Sequence, residues 1–292
     1  MPLRDLFTIA IGYLAVIFIM SYLFGFFLGY PIFINLLFVD TIGTICIFGL
    51  SLFWRNSSWY DAYWSVIPPV LLLLPYFHGF EISSSSRMFL IIVATLFWAI
   101  RLTFNWVRNW SGFSHEDWRY ISMKSSQKTK LGKVTIDFLG IHLIPTLCVF
   151  IGLIPAVNAL YASETQINPI DLIAFGIIFI GVMLQIASDQ QMFNFRQDSS
   201  NKGKTMQSGF WFYSRHPNYF GELMFWLGLC IFGFASQDFE YINFLGIIVM
   251  YLLIAVGSVK MMDDRSLKSR ADFASYADST PKIWMNLFKK RF

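Results

Sequence analysis

SGFWFYSRHPNYFGELMFWLGLC, from Ser208 to Cys230, carries a polar loop into an apolar helix, and its polar residues decide how the chain is read. Arg215, His216, Asn218 and Glu222 fall within eight positions, directly ahead of a long apolar run. Pro217 suits a first helical turn, where its missing N–H costs nothing. Gly209 permits a tight turn before it. The N–H groups at such a helix start favour phosphate or carboxylate, and Arg215 and His216 stand just outside to add charge and donors. Asn218 and Glu222 are four apart and share a face, with Gly221 between them allowing another helix or a ligand to approach closely. A carboxylate at the shallow end of a span costs several kcal/mol unless it is paired. Glu222 therefore needs Arg215 or a neighbour as a salt-bridge partner, or hydroxyl and amide donors from a ligand.

Working outward, the chain around this stretch is a membrane chain. Of 292 residues, 56% are hydrophobic and 14% charged, against about 25% charged in a soluble domain. Thirty-two Phe and ten Trp suit lipid-facing helices and interfacial belts. The net charge of +4 does not point to nucleic acid, because the basic residues have a topological explanation. Cys46, Cys148 and Cys230 lie in apolar runs and read as buried thiols rather than as disulfides or metal ligands. MPLRDLF precedes an apolar run without a small-residue cleavage site, which reads as an uncleaved first helix.

A span needs roughly 20 apolar residues, and the sequence offers about eight, near 7–28, 32–53, 63–79, 88–107, 137–159, 170–188, 218–236 and 241–260. The third is short and holds Pro68, Pro69 and Pro75. Eight spans put the N-terminus, the 54–62, 108–136 and 189–217 loops and the C-terminal tail on one side. Those segments, with Lys260, hold 20 of the 22 basic residues. Arg101 lies inside a span, and Arg87 is left for the opposite face, where Glu81, Glu164, Asp238 and Glu240 lie in or beside the loops. The positive-inside pattern predicts both termini in the cytoplasm. Large loops on that face and thin connectors on the other suit a cofactor site better than a channel, although basic membrane-surface segments would give the same charge pattern.

Three further clusters carry polar chemistry. WYDAYW, Trp59–Trp64, reads as an interfacial belt in which Tyr60 or Asp61 could serve a site. In RLTFNWVRNWSGFSHEDWRY, Arg101, Asn105 and Arg108 share a helix face, and Arg101 must snorkel or pair. Arg119 then offers a phosphate contact, with Glu116 or Asp117 to orient it. His115–Glu116 lacks the second histidine of a zinc protease. In SDQQMFNFRQ, Asp189 and Arg196 are seven apart, and they face one pocket if the sixth span continues beyond the membrane surface. A surface helix with Phe193 and Phe195 on lipid is the competing account.

RHPNYFGE, Arg215–Glu222, together with Asp189, Arg196, Gly209 and the tail MMDDRSLKSRADFASYADSTPKI, resembles the steroid 5-alpha-reductase superfamily, nearest to its bacterial-type, DUF1295-like membrane branch. The resemblance covers roughly the last hundred residues well and the earlier part mainly in topology. It implies NADPH bound from the cytoplasmic side, with hydride passed to a carbon–carbon double bond conjugated to a carbonyl. It also implies cofactor contact by Asp189, Arg196, Asn218 and Glu222, to which Tyr219 of the matched run and Arg215, His216 and Arg119 are added here as further cofactor-binding candidates. Arg-His-Pro departs from the steroid enzymes and is similar to integral-membrane methyltransferases that bind S-adenosylmethionine. Those enzymes carry a glutamate pair after the last span where this chain has Asp263 and Asp264. The NYFGE continuation favours the reductase side.

The expectation is thus an all-α, polytopic membrane enzyme with about eight transmembrane helices, one domain over residues 1–292. Residues 1–136 supply N-terminal helices and a cytoplasmic loop, and 137–292 the reductase-like region. The expected cofactor is NADPH, the partners are the bilayer and a hydrophobic small molecule, and no nucleic acid or metal is expected. Catalytic residues and oligomeric state are not legible, though Tyr60 and Asp61 offer an acid for the carbonyl oxygen. The expected location is a bacterial inner membrane, or the endoplasmic reticulum of a eukaryote. Methyl transfer to a lipid or prenylated acceptor is the second reading, and a transporter or scaffold the third.

Overall fold

A computed structural model of the protein describes residues 2–161, 166–236 and 241–289, and these form an all-α bundle. Seven helices are long and apolar enough to cross a membrane: α1 (Leu3–Phe26), α2 (Ile32–Trp54), α4 (Ser85–Asn109), α6 (Lys130–Tyr161), α7 (Pro169–Gln197), α8 (Pro217–Ala235) and α9 (Ile242–Ser269). Between them lie α3 (Tyr63–Phe77) and the short amphipathic α5 (Trp118–Ser125), and α10 (Phe273–Ser279) ends the helical part. Phe7, Phe18, Phe53 and Ile100 project outward, where lipid is their natural solvent.

The expected third span is the one that differs. α3 has 15 residues, or about 22 Å at 1.5 Å per residue, against roughly 30 Å of hydrocarbon. The cause lies just upstream, where residues 56–62 dip into the bundle before the helix begins. Their backbone is satisfied there by Tyr13 Oη, which donates to the Trp59 carbonyl at 2.7 Å, and by Glu116, which accepts the Ser57 N–H at 2.6 Å. Trp59 and Tyr60 are consequently buried rather than interfacial. The far end of α3 still reaches the end of α1, where His78 meets Ser21 at 3.2 Å. Irregular backbone at this depth is tolerable only because protein groups complete its hydrogen bonds.

The basic segments gather at one end of the bundle. Asp5 accepts the Phe113 N–H, Asn56 donates to the Phe113 carbonyl, Arg265 lies 4.3 Å from the Trp118 ring, and Thr205 donates to Asp272. At the opposite end Glu81 is exposed, and Glu164, Asp238 and Glu240 lie outside the described residues. Arg87 is not a loop charge there. It is fully buried and forks onto both oxygens of Asp171, at 2.8 and 3.0 Å, tying α4 to α7.

α7 and α8 form the closest helix pair. A Cβ on Gly181 would stand 2.8 Å from the Gly221 carbonyl oxygen, and one on Gly228 3.0 Å from that of Ala174. Small residues along this seam let two backbones meet, as membrane helices commonly do. Gly221 thus admits a helix. The crossing sets Asn218 and Glu222 of α8 against Asp189 and Gln185 of α7.

Candidate functional site

The two halves of the opening stretch are built by different contacts. Gly209 adopts φ +61°, where an L side chain is strained, and the amide of Phe210 then donates to Gln191 Oε1 at 3.0 Å. Trp211 Nε1 donates to the Ser188 carbonyl at 3.0 Å, pinning the loop to α7. The tail closes over it, with the Arg215 amide on the Pro281 carbonyl at 2.9 Å and Ser214 Oγ on the Ile283 carbonyl at 2.8 Å. Tyr276 of α10 donates to the Trp211 carbonyl. At the start of α8 the Tyr219 and Phe220 amides are already taken by the His216 carbonyl.

Between α4, α7, α8, α9 and this loop lies a polar cavity of about 140 Å³. Asp189, Arg196, Arg215, His216, Asn218 and Tyr219 all line it, joined by Asn105 and Arg270. α7 runs on to Gln197, 29 residues where a span needs roughly 20, which carries Arg196 to the same wall as Asp189. Phe193 therefore faces the cavity and the Arg108 guanidinium, 4.6 Å away.

Charge on this wall is arranged in two closed units. Arg101 pairs with Asp189, whose other oxygen accepts from Asn218 Nδ2 at 3.1 Å. Arg215 and His216 both close on Asp263 of α9, at 3.1 and 2.9 Å. Asp263 is thereby occupied, whereas Asp264 next to it is exposed. Arg196 and Arg270 make no side-chain hydrogen bond or ion pair among the described residues, and they give the cavity its uncompensated positive charge. Arg270 escaped the sequence reading because a basic tail residue looks like any other membrane-surface charge.

Glu222 and Arg119 stand elsewhere. Glu222 is buried one turn deeper, off the cavity wall, and Arg215 is not its partner. It accepts from Trp98 Nε1 at 3.0 Å, Trp226 Nε1 at 3.0 Å and Gln185 Nε2 at 2.8 Å. Arg119 forks onto Asp117, with both contacts at 2.9 Å. Burial pushes the Asp117 carboxyl up, but the Arg119 guanidinium and N–H outweigh it and hold it below the usual carboxylate range.

Tyr60 and Asp61 turn to separate partners, so they do not form one acid pair. Asp61 accepts from Tyr120 Oη at 2.6 Å and Trp106 Nε1 at 3.2 Å, and burial raises its carboxyl to about 6. Tyr60 Oη bonds Thr146 at 2.8 Å, and Thr146 bonds Thr44 at 3.0 Å. Near this hydroxyl row sits Asp40 of α2, 2% exposed and with Oδ1 unpartnered. Asp40 was passed over as one polar residue in an apolar run, although an ionisable group at that depth is itself a signal.

The family described as protein of unknown function (DUF1295) matches residues 47–280. The chain belongs to that family. A protein of Schizosaccharomyces pombe, itself described as uncharacterized, is 23% identical over 284 residues, covering 88% of this chain and 80% of its own. The human 3-oxo-5-alpha-steroid 4-dehydrogenase 1 is 31% identical over 86 residues, and its mouse counterpart 29%. That stretch is 30% of this chain and about a third of either dehydrogenase, 33% and 34%. No solved structure matches the chain.

Proposed function

We propose that the protein is an NADPH-dependent reductase of a carbon–carbon double bond conjugated to a carbonyl, acting on a lipid or steroid-like substrate taken from the bilayer. The observation that carries this is the polar cavity at the basic end, where Arg196 and Arg270 lack partners beside the ordered Asp189–Asn218 corner. The partial likeness to the steroid dehydrogenases supplies the chemistry. Unpaired guanidiniums suit the diphosphate and the 2′-phosphate of a dinucleotide, and the amides of Asn105 and Asn218 suit ribose or carboxamide groups. At 140 Å³ the cavity is smaller than the roughly 300–1,000 Å³ of typical ligand sites. A dinucleotide would therefore have to displace part of the 198–216 loop or the tail.

When bound, the nicotinamide supplies hydride; the chain must orient it and protonate the substrate oxygen. For that acid we assign the interior tyrosines beside Asp40, Tyr60 and Tyr63. The whole chain acts as one domain in this reading, with the basic end and both termini in the cytoplasm.

Binding of NADPH, NADH and S-adenosylmethionine to detergent-purified protein tests it. NADPH binding that weakens in Asn218→Ala and Arg196→Gln supports the reductase. Selective S-adenosylmethionine binding overturns it in favour of methyl transfer, and binding of none of the three removes the enzymatic reading.

A further inference from the structure

α6 is not a regular helix throughout. It opens into a π turn at Asp137–Leu143, and the two polar residues of that turn, Asp137 and His142, both point into the bundle. π turns inside α-helices occur most often at functional sites, and this one lies outside the cavity described above.

The bonds of His142 constrain its protons. Nδ1 lies 2.9 Å from the Asp137 carbonyl oxygen, which can only accept, so Nδ1 carries hydrogen in either charge state. Nε2 lies 3.0 Å from Ser51 Oγ, and that hydroxyl has a second partner, the Ile47 carbonyl, also at 3.0 Å. With the ring neutral, Ser51 donates to Nε2. With the ring charged, Nε2–H donates to Ser51 Oγ and the hydroxyl turns to Ile47. One hydroxyl rotation satisfies every donor in both states, so a fully buried histidine can gain or lose a proton without leaving a polar group unpaired.

Charged and polar groups continue from this ring toward the basic end. Asp137 Oδ1 is 3.4 Å from Nδ1 and accepts from Ser57 Oγ at 2.8 Å. Lys124 Nζ reaches Ser57 Oγ at 3.2 Å and Glu116 at 2.6 Å, and both of these charged side chains are partly exposed. The charged groups facing His142 are thus Asp137 on its own helix and Glu116 and Lys124 beyond the dipping loop; α2 contributes the Ser51 hydroxyl and the Phe48 ring. Two carboxylates against one ammonium leave room for a single further positive charge. On its other side the ring lies 5.1 Å, centre to centre, from Tyr60.

We propose that His142 is a proton-loading station. The neutral ring takes up a proton from water at Nε2, where Ser51 Oγ turns from donor to acceptor, and the imidazolium is held with Asp137 facing its Nδ1–H and Tyr60, one of the tyrosines assigned above as the reaction's acid, beside it. No bond other than N–H and O–H changes, and the positive charge moves with the proton. Its purpose rests on the reductase reading; its capacity to load does not.

Nitrogen-15 NMR of histidine-labelled protein in detergent tests this across about pH 5 to pH 9. The chain has four histidines, and His142→Gln assigns the signal. If that variant does not fold, His78→Gln, His115→Gln and His216→Gln assign it by elimination. The expected result is exchange between the Nδ1–H form and the imidazolium. Its midpoint falls by about one pH unit in Asp137→Asn, which removes the facing carboxylate, and also falls in Ser51→Ala, which removes the Nε2–H acceptor. A ring that stays neutral over the whole range, or a midpoint unmoved in Asp137→Asn, overturns the proposal. NADPH that binds without being oxidised alongside an intact titration would instead sink the reductase reading alone.

Discussion

Arg101 on α4 and Asp189 on α7 form an ion pair across 88 residues of sequence, each side chain only 7% exposed. Asn218 of α8 donates to the same carboxylate, so three helices meet at one group. This is the inner edge of the cavity, and it fixes the wall against which any ligand would bind.

Removing one member of such a pair leaves the other charge buried and uncompensated, at a cost of about 3–5 kcal/mol. Arg101→Met and Asp189→Leu should each lower the melting temperature in detergent strongly. The double variant should recover much of the loss, because no orphan charge remains. A double variant as unstable as the sum of the singles would show that the two residues act independently.

The cavity's cations should separate by partner. Arg196→Gln and Arg270→Gln should each weaken NADPH binding about tenfold, the loss of one charge-assisted contact, and should flatten its dependence on salt. Arg119→Gln should change the Kd less than about twofold, because Asp117 already occupies its guanidinium fork. Equal losses for all three, measured by titration calorimetry, would place the phosphates outside the cavity.

Much of this was legible in the sequence, and the failures have physical causes. The spacing of Asp189 and Arg196 left a helix continuing from the sixth span open against a surface helix, and α7 runs on to Gln197; the charge distribution anticipated which segments share an end. Residues 56–62 misled because Trp59 and Tyr60 are the residue types of an interfacial belt, and a dip is visible only through the distant groups that complete its backbone bonds. Arg87 looked like a loop charge because Asp171 is 84 residues away. The partners of Glu222 were hidden for a similar reason: Trp98 and Trp226 count as apolar in any hydropathy window, yet each brings one N–H.

Asp61 gives a pH signature with a definite sign. Its carboxyl is raised to about 6 from an ordinary 3.8, mainly by burial. The folded protein therefore holds a proton that the unfolded chain has released between these values, and stability falls as pH rises through that window. Asp61→Asn keeps an acceptor for Tyr120 and needs no buried charge, but its NH₂ meets the Trp106 N–H, a loss that does not vary with pH. Relative to the wild type it should therefore gain about 1 kcal/mol as pH rises from 4 to above 6, discounted for partial exposure. A stabilisation independent of pH, in melting curves taken across that window, would contradict this origin.

Glu222 separates a structural carboxylate from a ligand-binding one. It receives three N–H donors and no ligand-facing atom lies on the cavity wall. Glu222→Gln keeps the size but replaces one accepting oxygen with an NH₂ that meets donors head-on. At least one indole or amide N–H then loses its acceptor, which costs about 1–3 kcal/mol in a buried site. The melting temperature should drop accordingly, while the NADPH Kd of the protein that remains folded stays within about twofold. Trp98→Phe should reproduce a part of the same instability by deleting a donor instead of the acceptor. If Glu222→Gln abolished NADPH binding at full thermal stability, the carboxylate would have to face the cofactor, and the wall of the cavity would need to open one turn deeper along α8.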